Sequence, residues 1–310
     1  MSFKILFMGT PSFAVPILRT LHQSNHKILE VYTQSPKKKN RGQKISFSPV
    51  HEYSNEINIP VRYPLTLNSP EEFEHFKKVK PDISIVVAYG KIIPSKFLNL
   101  ENTIFINVHA SLLPKWRGAA PIQRAIMNCD NETGISIMRL VPKLDAGPVL
   151  IKSKIKITNE INYEMLSAQM SKLGTKLILE SLDLIENGKA KFVSQNDKDA
   201  TYAKKIEKTE SEIDWSLNAK NVVAKINALY PNPGSWFKLK GSRIKVIKAI
   251  EVNAKGAPGE IINKDFTIGC SQNSIQILEL KKEGKNKILA SEFLKGNTLE
   301  VGSNINEDDV

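Results

Sequence analysis

"INVHASLLPKWRGAAPIQRAI", from Ile106 to Ile126, decides how this chain is read. Ile104 to Val108 predicts a short buried strand, and a histidine, His109, follows at once. A Pro- and Gly-punctuated loop comes next, then a helix from about Ala119 to Met127. Asn107 lies two residues before His109, and alternate strand residues face one side, so the two side chains are presented together. In an open α/β sheet the crevice beyond the carboxyl ends of the strands is where ligands bind, which makes this strand end a candidate site.

Upstream, strands and helices alternate. "KILFMG" (Lys4 to Gly9) reads as a strand, and the helix after it has Ser12 as a potential cap and Pro16 near its first turn. Lys27 to Thr33 is a second strand, Phe47 to Glu56 reads as helical, and "INIPVRY" as a short strand. "SPEEFEHFKKVKPD" opens with Ser69 as N-cap and Pro70 at the first helical position. Ile83 to Gly90 is apolar without alternation, as in a parallel strand covered on both faces. This βαβα pattern predicts a doubly wound, mostly parallel, Rossmann-like α/β sheet. Downstream, Gly134 to Val141 and Pro148 to Ile155 form a hairpin around "PKLDAG", and Asn162 to Glu186 a long helix. The polar stretch beginning at Asn187 has no helical pattern and supplies a linker. Beyond it come a helix at Ala219 to Ala228 and six short strand-like runs, which suggest a small barrel. The expected division is therefore 1–189, a linker at 190–206, and 207–310. The tail "NINEDDV" (Asn304 to Val310) is expected to be disordered.

A histidine at such a rim can pass a proton or stabilise an oxyanion, and an asparagine amide can donate to the same oxygen. "KLDAG" supplies a carboxylate, Asp145, on a tight turn that Gly147 lets bend. A carboxylate beside an imidazole orients it, fixes its tautomer and favours its charged form. Other chemistries lack their signatures. The five histidines and two cysteines show no metal-ligand spacing, so no metal is expected. "GTPSFA" lacks the later glycines of G-x-G-x-x-G, and no G-x-x-x-x-G-K-[ST] occurs.

The 310 residues are 41% hydrophobic and 25% charged, the balance of a globular chain with a sizeable core. "MSFKILFMG" reads as a first strand rather than a signal peptide, and no apolar run reaches the ~20 residues a bilayer requires. Cys129 and Cys270 form no C-x-x-C; a reduced, cytoplasmic setting is the expectation. The net charge is +12. Up to Lys204 there are 28 basic and 18 acidic residues, leaving 16 and 14 of the 44 and 32 for the remainder. "SPKKKNRGQK" (Ser35 to Lys44) and "KLKGSRIKVIK" (Lys238 to Lys248) each carry five basic residues and no acidic one, which favours a polyanionic partner.

The opening string closely resembles the signature of the folate-dependent formyltransferases. "FMGTPSFAVPIL", "TQSPKKKNRGQKISFSPV", "VVAYGKIIP", "KLDAG", "SEIDWSLNA" and "ALYPNPGSWF" follow in the family's order, over nearly the whole chain. The resemblance implies a catalytic set of Asn107, His109 and Asp145, and a folate-binding segment at Ser111, Leu112, Leu113 and Pro114. It implies 10-formyltetrahydrofolate as formyl donor and the methionine amine of an initiator tRNA as acceptor. The C-terminal domain is expected to be an OB-like β-barrel that binds tRNA. The basic loop matches one that reaches the tRNA acceptor end, with Arg41 in the key position and Lys37, Lys38, Lys39 and Lys44 around it. A monomer without membrane attachment is expected. Pro148 stands where an acidic residue is frequent in the family. Among rival members, amino-sugar formyltransferases are disfavoured by the basic loop and "ALYPNPGSWF", while a hydrolase of the same donor would use a similar triad on water.

Overall fold

The computed structural model describes residues 2–39 and 44–305. It divides into two compact units: Met1–Pro121, Thr133–Ile155 and Ser167–Lys204 in one, and Ile122–Glu132, Lys156–Leu166 and Lys205–Val310 in the other. In chain order the elements are β1 (Lys4–Gly9), α1 (Val15–His22), β2 (Lys27–Tyr32), β3 (Lys37–Lys39), β4 (Lys44–Ser46), α2 (Pro49–Glu56) and β5 (Val61–Arg62). Then come α3 (Pro70–Val79), β6 (Ile83–Val87), α4 (Ser95–Leu98), β7 (Ile104–His109), β8 (Arg117–Gly118), α5 (Pro121–Met127), β9 (Glu132–Arg139), β10 (Val149–Lys156), α6 (Tyr163–Glu186) and β11 (Tyr202–Ala203). The remainder is α7 (Ala219–Leu229), β12 (Ser235–Leu239), β13 (Ser242–Val252), β14 (Ile261–Asn263), β15 (Thr267–Gly269), β16 (Ser274–Lys282), β17 (Lys287–Leu289) and α8 (Ala290–Lys295).

The first unit is built on a seven-stranded sheet in the order β10-β9-β7-β6-β1-β2-β5. β1 pairs in parallel with β2 and β6, and β6 with β7, as the apolar, non-alternating runs predict. The chain winds outward from β1 to β5, then crosses to β6 and winds the other way, so the switch point lies between β1 and β6. β7 pairs with β9 antiparallel, which makes this side of the sheet mixed. The helix starts follow capping chemistry. Ser69 accepts from Glu72 N–H at 3.2 Å with Pro70 at the first helical position, and Ser48 accepts from His51 N–H at 3.1 Å. Ser12, by contrast, caps nothing with its side chain: it opens a 3-10 turn, Ser12–Ala14, that precedes α1. Phe76, Phe97 and Phe105 pack with Leu6, Met8 and Tyr32 in one buried cluster, each buried side chain contributing roughly 1.5–3 kcal/mol.

The second unit contains an antiparallel, barrel-like sheet in the order β12-β13-β16-β15-β14, with β17 also on β16. Register irregularities at Val246/Lys248 and Lys248/Ala249 bend β13, the device by which a long strand curls. Trp215, Phe237, Phe266 and Phe293 fill its interior together with Val222 and Ile226 of α7. Two readings from local polarity change. Residues 190–206 are not a free tether: Val193 bridges to Val149, and β11 pairs with β8, because the polar side chains there satisfy groups of the first unit. Asn304 and Ile305 of the supposed disordered tail are ordered. Ile305 is buried, and Asn304 bridges to Glu260, because an apolar side chain at 305 has a core to enter; residues 306–310 lie outside the described residues.

Candidate active site

β7 extends one residue further than its apolar run, so His109 is the last strand residue and not the first of the loop. Its register sets Asn107 beside Val86 of β6 and Met138 of β9, and His109 beside Ser136. Both side chains are buried. The Asn107 carboxamide, two residues before His109 on the same face of the strand, can donate to a ligand oxygen there.

His109 lies between two acceptors. Nε2 donates to the Trp116 carbonyl at 3.0 Å, and Nδ1 is 3.6 Å from Asp145 Oδ2. A carbonyl can only accept, so Nε2 carries the proton of the Trp116 hydrogen bond. The Asp145 contact at 3.6 Å is longer than a hydrogen bond. Asp145 adopts φ +44, a left-handed conformation that Asp tolerates, and its Oδ2 accepts from Gly118 N–H at 2.8 Å. Gly147 is required by the same turn: a Cβ there would lie 1.8 Å from the Arg139 carbonyl oxygen.

The loop between His109 and Asp145 is held by residues that pattern reading passes over. Arg117, fully buried, donates through Nε and Nη2 to Gln195 Oε1 at 3.1 and 2.9 Å, and its Nη1 is 2.8 Å from Asp197. Gln195 in turn donates to the carbonyls of Asp145 at 2.8 Å and Gly147 at 2.7 Å. The assignment of its amide follows from the partners, since arginine only donates and carbonyls only accept. Lys143 also pairs with Asp197, and the two cations hold that exposed carboxyl below its usual range, Lys143 first. Thr201 accepts from Trp116 N–H through its hydroxyl and from Arg117 N–H through its carbonyl, both at 2.9 Å. Arg117 thus sits between the residue that holds His109 and the residue that holds Asp145. An arginine between an indole and a glycine was visible in "KWRG"; Gln195, one amide in a polar stretch, gave no local signal.

The expected folate segment is a scaffold in large part. Ser111 Oγ donates to Lys115 O at 2.6 Å, Ser136 Oγ donates to Ser111 O at 2.7 Å, and Leu113 N–H donates to Ser136 Oγ at 3.1 Å. Ser111 and Leu113 are buried, and Leu112 and Pro114 are half-buried. In the basic segment β3 pairs with β4 antiparallel, Lys37 opposite Ser46. Lys37 donates to Gln34 at 3.2 Å, and Gln34 donates to the Tyr89 carbonyl, so β3 is tied to the rim beyond β6. Arg41 lies outside the described residues, as do the side chains of Lys38, Lys39 and Lys44. Among the described residues no group of three or more His, Cys, Asp or Glu could hold a metal ion, and no helix is long and apolar enough to cross a membrane.

Residues 3–182 match the formyl transferase family, and residues 205–298 match the formyl transferase C-terminal domain. The chain therefore belongs to the formyl transferase family and is a formyl-group-transferring enzyme. Methionyl-tRNA formyltransferases are similar to it over nearly their whole length. It is 50% identical to the methionyl-tRNA formyltransferase of Pelagibacter ubique strain HTCC1062, over 98% of this chain and 99% of that one. It is 40% identical to that of Afipia carboxidovorans strain ATCC 49405, over 96% and 98%. The fold is also that of HypX from Aquifex aeolicus in complex with tetrahydrofolic acid, with TM-score 0.67 and 18% identity. That likeness covers 98% of this chain, which spans about half of HypX, at 51%.

Proposed function

We propose that the enzyme moves a formyl group from N10 of 10-formyltetrahydrofolate to the α-amino group of methionine carried by initiator tRNA. The observation that carries this reading is the 3.6 Å approach of Asp145 to His109, with Asn107 two residues earlier on the same face of β7. The methionyl-tRNA formyltransferases, similar over nearly their whole length, supply the acceptor.

The attacking amine must be neutral, and its addition to the formyl carbon puts negative charge on the formyl oxygen. Asn107 is one donor for that charge, and losing one such donor typically costs ~10²–10³ in rate. His109 adds a second donor by sharing the proton that Nε2 now gives to Trp116. Asp145 faces Nδ1 across 3.6 Å, with its Oδ2 anchored to Gly118. It orients the ring and takes part in removing the proton that the amine loses as N10 regains one. Asp145→Asn is expected to abolish most turnover while donor binding persists; turnover within a few-fold of wild type would contradict this role.

The Ser111–Pro114 loop serves as a wall of the donor pocket, its buried polar groups already spent on its own shape. For the acceptor, the paired strands β3 and β4 and the local basic patch Lys238 to Lys248 supply cations for RNA phosphates, so affinity should fall steeply with salt. Incubation with 10-formyltetrahydrofolate and Met-charged initiator or elongator tRNA tests the whole reading. Formyl-methionine on the initiator alone is expected. Formate released without any amine acceptor would instead identify a hydrolase.

A further inference from the structure

In the second unit, on the outer face of its sheet, a cavity of about 390 Å³ is lined by Lys208, Ser211, Trp236, Arg243, Lys245 and Lys281, among others. Its geometry follows from register. Trp236 of β12 is paired with Lys245 of β13, which is paired with Lys281 of β16, so an indole and two ammonium groups lie in one row across three strands. Like charges directly opposite each other on a sheet face destabilise it, which makes this row unfavourable by itself. Arg243 stacks on the Trp236 ring at 3.9 Å. Lys245 gives one proton to the Pro231 carbonyl at 2.7 Å, and burial, with Lys281 and Arg243 nearby, holds its ammonium below the usual lysine range. Its side chain lies over Gly234, at φ +81, where a Cβ would come within 1.7 Å of Lys245 Cε.

Two further atoms make this more than a basic patch. Ser211 is 2% exposed, and its Oγ has no partner; Trp236 Nε1 is likewise buried and unpaired among the described residues. Both residues line the cavity. Buried donors are almost always satisfied, and each one left unpaired costs about 1–3 kcal/mol. One acidic residue, Glu283, stands against five basic ones, Lys282 included.

From this convergence we infer that the cavity seats a phosphate group, with Ser211 and Trp236 donating to its oxygens and Arg243, Lys245 and Lys281 balancing its charge. A tetrahedral oxyanion fits because it presents several acceptors at once, and a guanidinium held flat on an indole meets two of them together. The inference rests on the RNA acceptor proposed above when the phosphate comes from a nucleic-acid backbone; a free phosphate ester offers the same chemistry.

The test uses the full-length enzyme, with the Trp236 indole N–H followed by NMR during titration with inorganic phosphate, AMP and initiator tRNA. Binding is also measured against salt for wild type, Lys281→Gln and Lys264→Gln, the last an exposed lysine outside the cavity. An indole shift with tRNA is the expected result, together with about fivefold or greater weakening in Lys281→Gln and a salt slope shallower by about one. A shift with phosphate and AMP but none with tRNA supports the seat and assigns it to a free phosphate ester. No shift with any of the three overturns the inference, as does equal weakening in Lys281→Gln and Lys264→Gln. Formylation of Met-tRNA by wild type is measured alongside, so that a failed acceptor reading is told apart from a failed phosphate seat.

Discussion

Replacing Gln195 by alanine removes four hydrogen bonds at once, and they fall into two pairs with different consequences. Two come from the buried Arg117 guanidinium, and two go to the carbonyls of Asp145 and Gly147. A hydrogen bond to a charged group contributes roughly 1.5–3 kcal/mol and a neutral one roughly 0.5–1.5. Water entering the gap recovers part of the gross loss, and Asp197 still faces Arg117, so a net destabilisation of about 2–4 kcal/mol is expected. Catalysis should fall separately, because a misplacement of about 1 Å can cost ~10² in rate. Gln195→Glu divides the two effects. The carboxylate still accepts from Arg117, but it offers no donor and repels the two turn carbonyls. Stability by urea titration should then stay closer to wild type than in the alanine variant, while kcat drops about 10–10²-fold with little change in KM for the donor. A Gln195→Glu enzyme with wild-type kcat would refute the idea that this amide holds the Asp145 turn.

Other consequences are open to direct measurement. Asn107→Ala should lower kcat by ~10²–10³ with the fold intact by circular dichroism, as for loss of one oxyanion donor. In the second unit, Arg124 hydrogen-bonds Glu210 and holds its carboxyl below the usual range. A depressed carboxyl contributes stability present above the unfolded value and lost as pH falls through the folded one, so Glu210→Gln should flatten the acid side of the stability profile. Burial pushes the Cys270 thiol up to about 12, and a thiol-reactive dye should label it in the native enzyme only at the rate of unfolding. Fast native labelling at Cys270 would contradict its burial.

Periodicity and punctuation carried most of the first unit. The strands beginning at Lys4, Lys27, Ile83 and Ile104 occur where continuous apolar runs placed them, because a strand covered on both faces admits no polar alternation. Ser69 and Pro70 started a helix as local capping chemistry requires. Asn107 and His109 were likewise legible as a pair, since two residues apart on a strand end is a local relation. What lies far apart in sequence was not. Residues 190–206 looked like a linker, because their polarity is the same whether it meets water or the carbonyls of another loop; only the folded chain aims Gln195 at the Asp145 turn. The row of Trp236, Lys245 and Lys281 arises the same way, from strand register. The sequence by itself determined which segments are strands and helices and which residues could do chemistry. The tertiary structure alone decided which of those residues meet, because hydrogen bonds and charge contacts act over a few ångströms and are indifferent to separation along the chain.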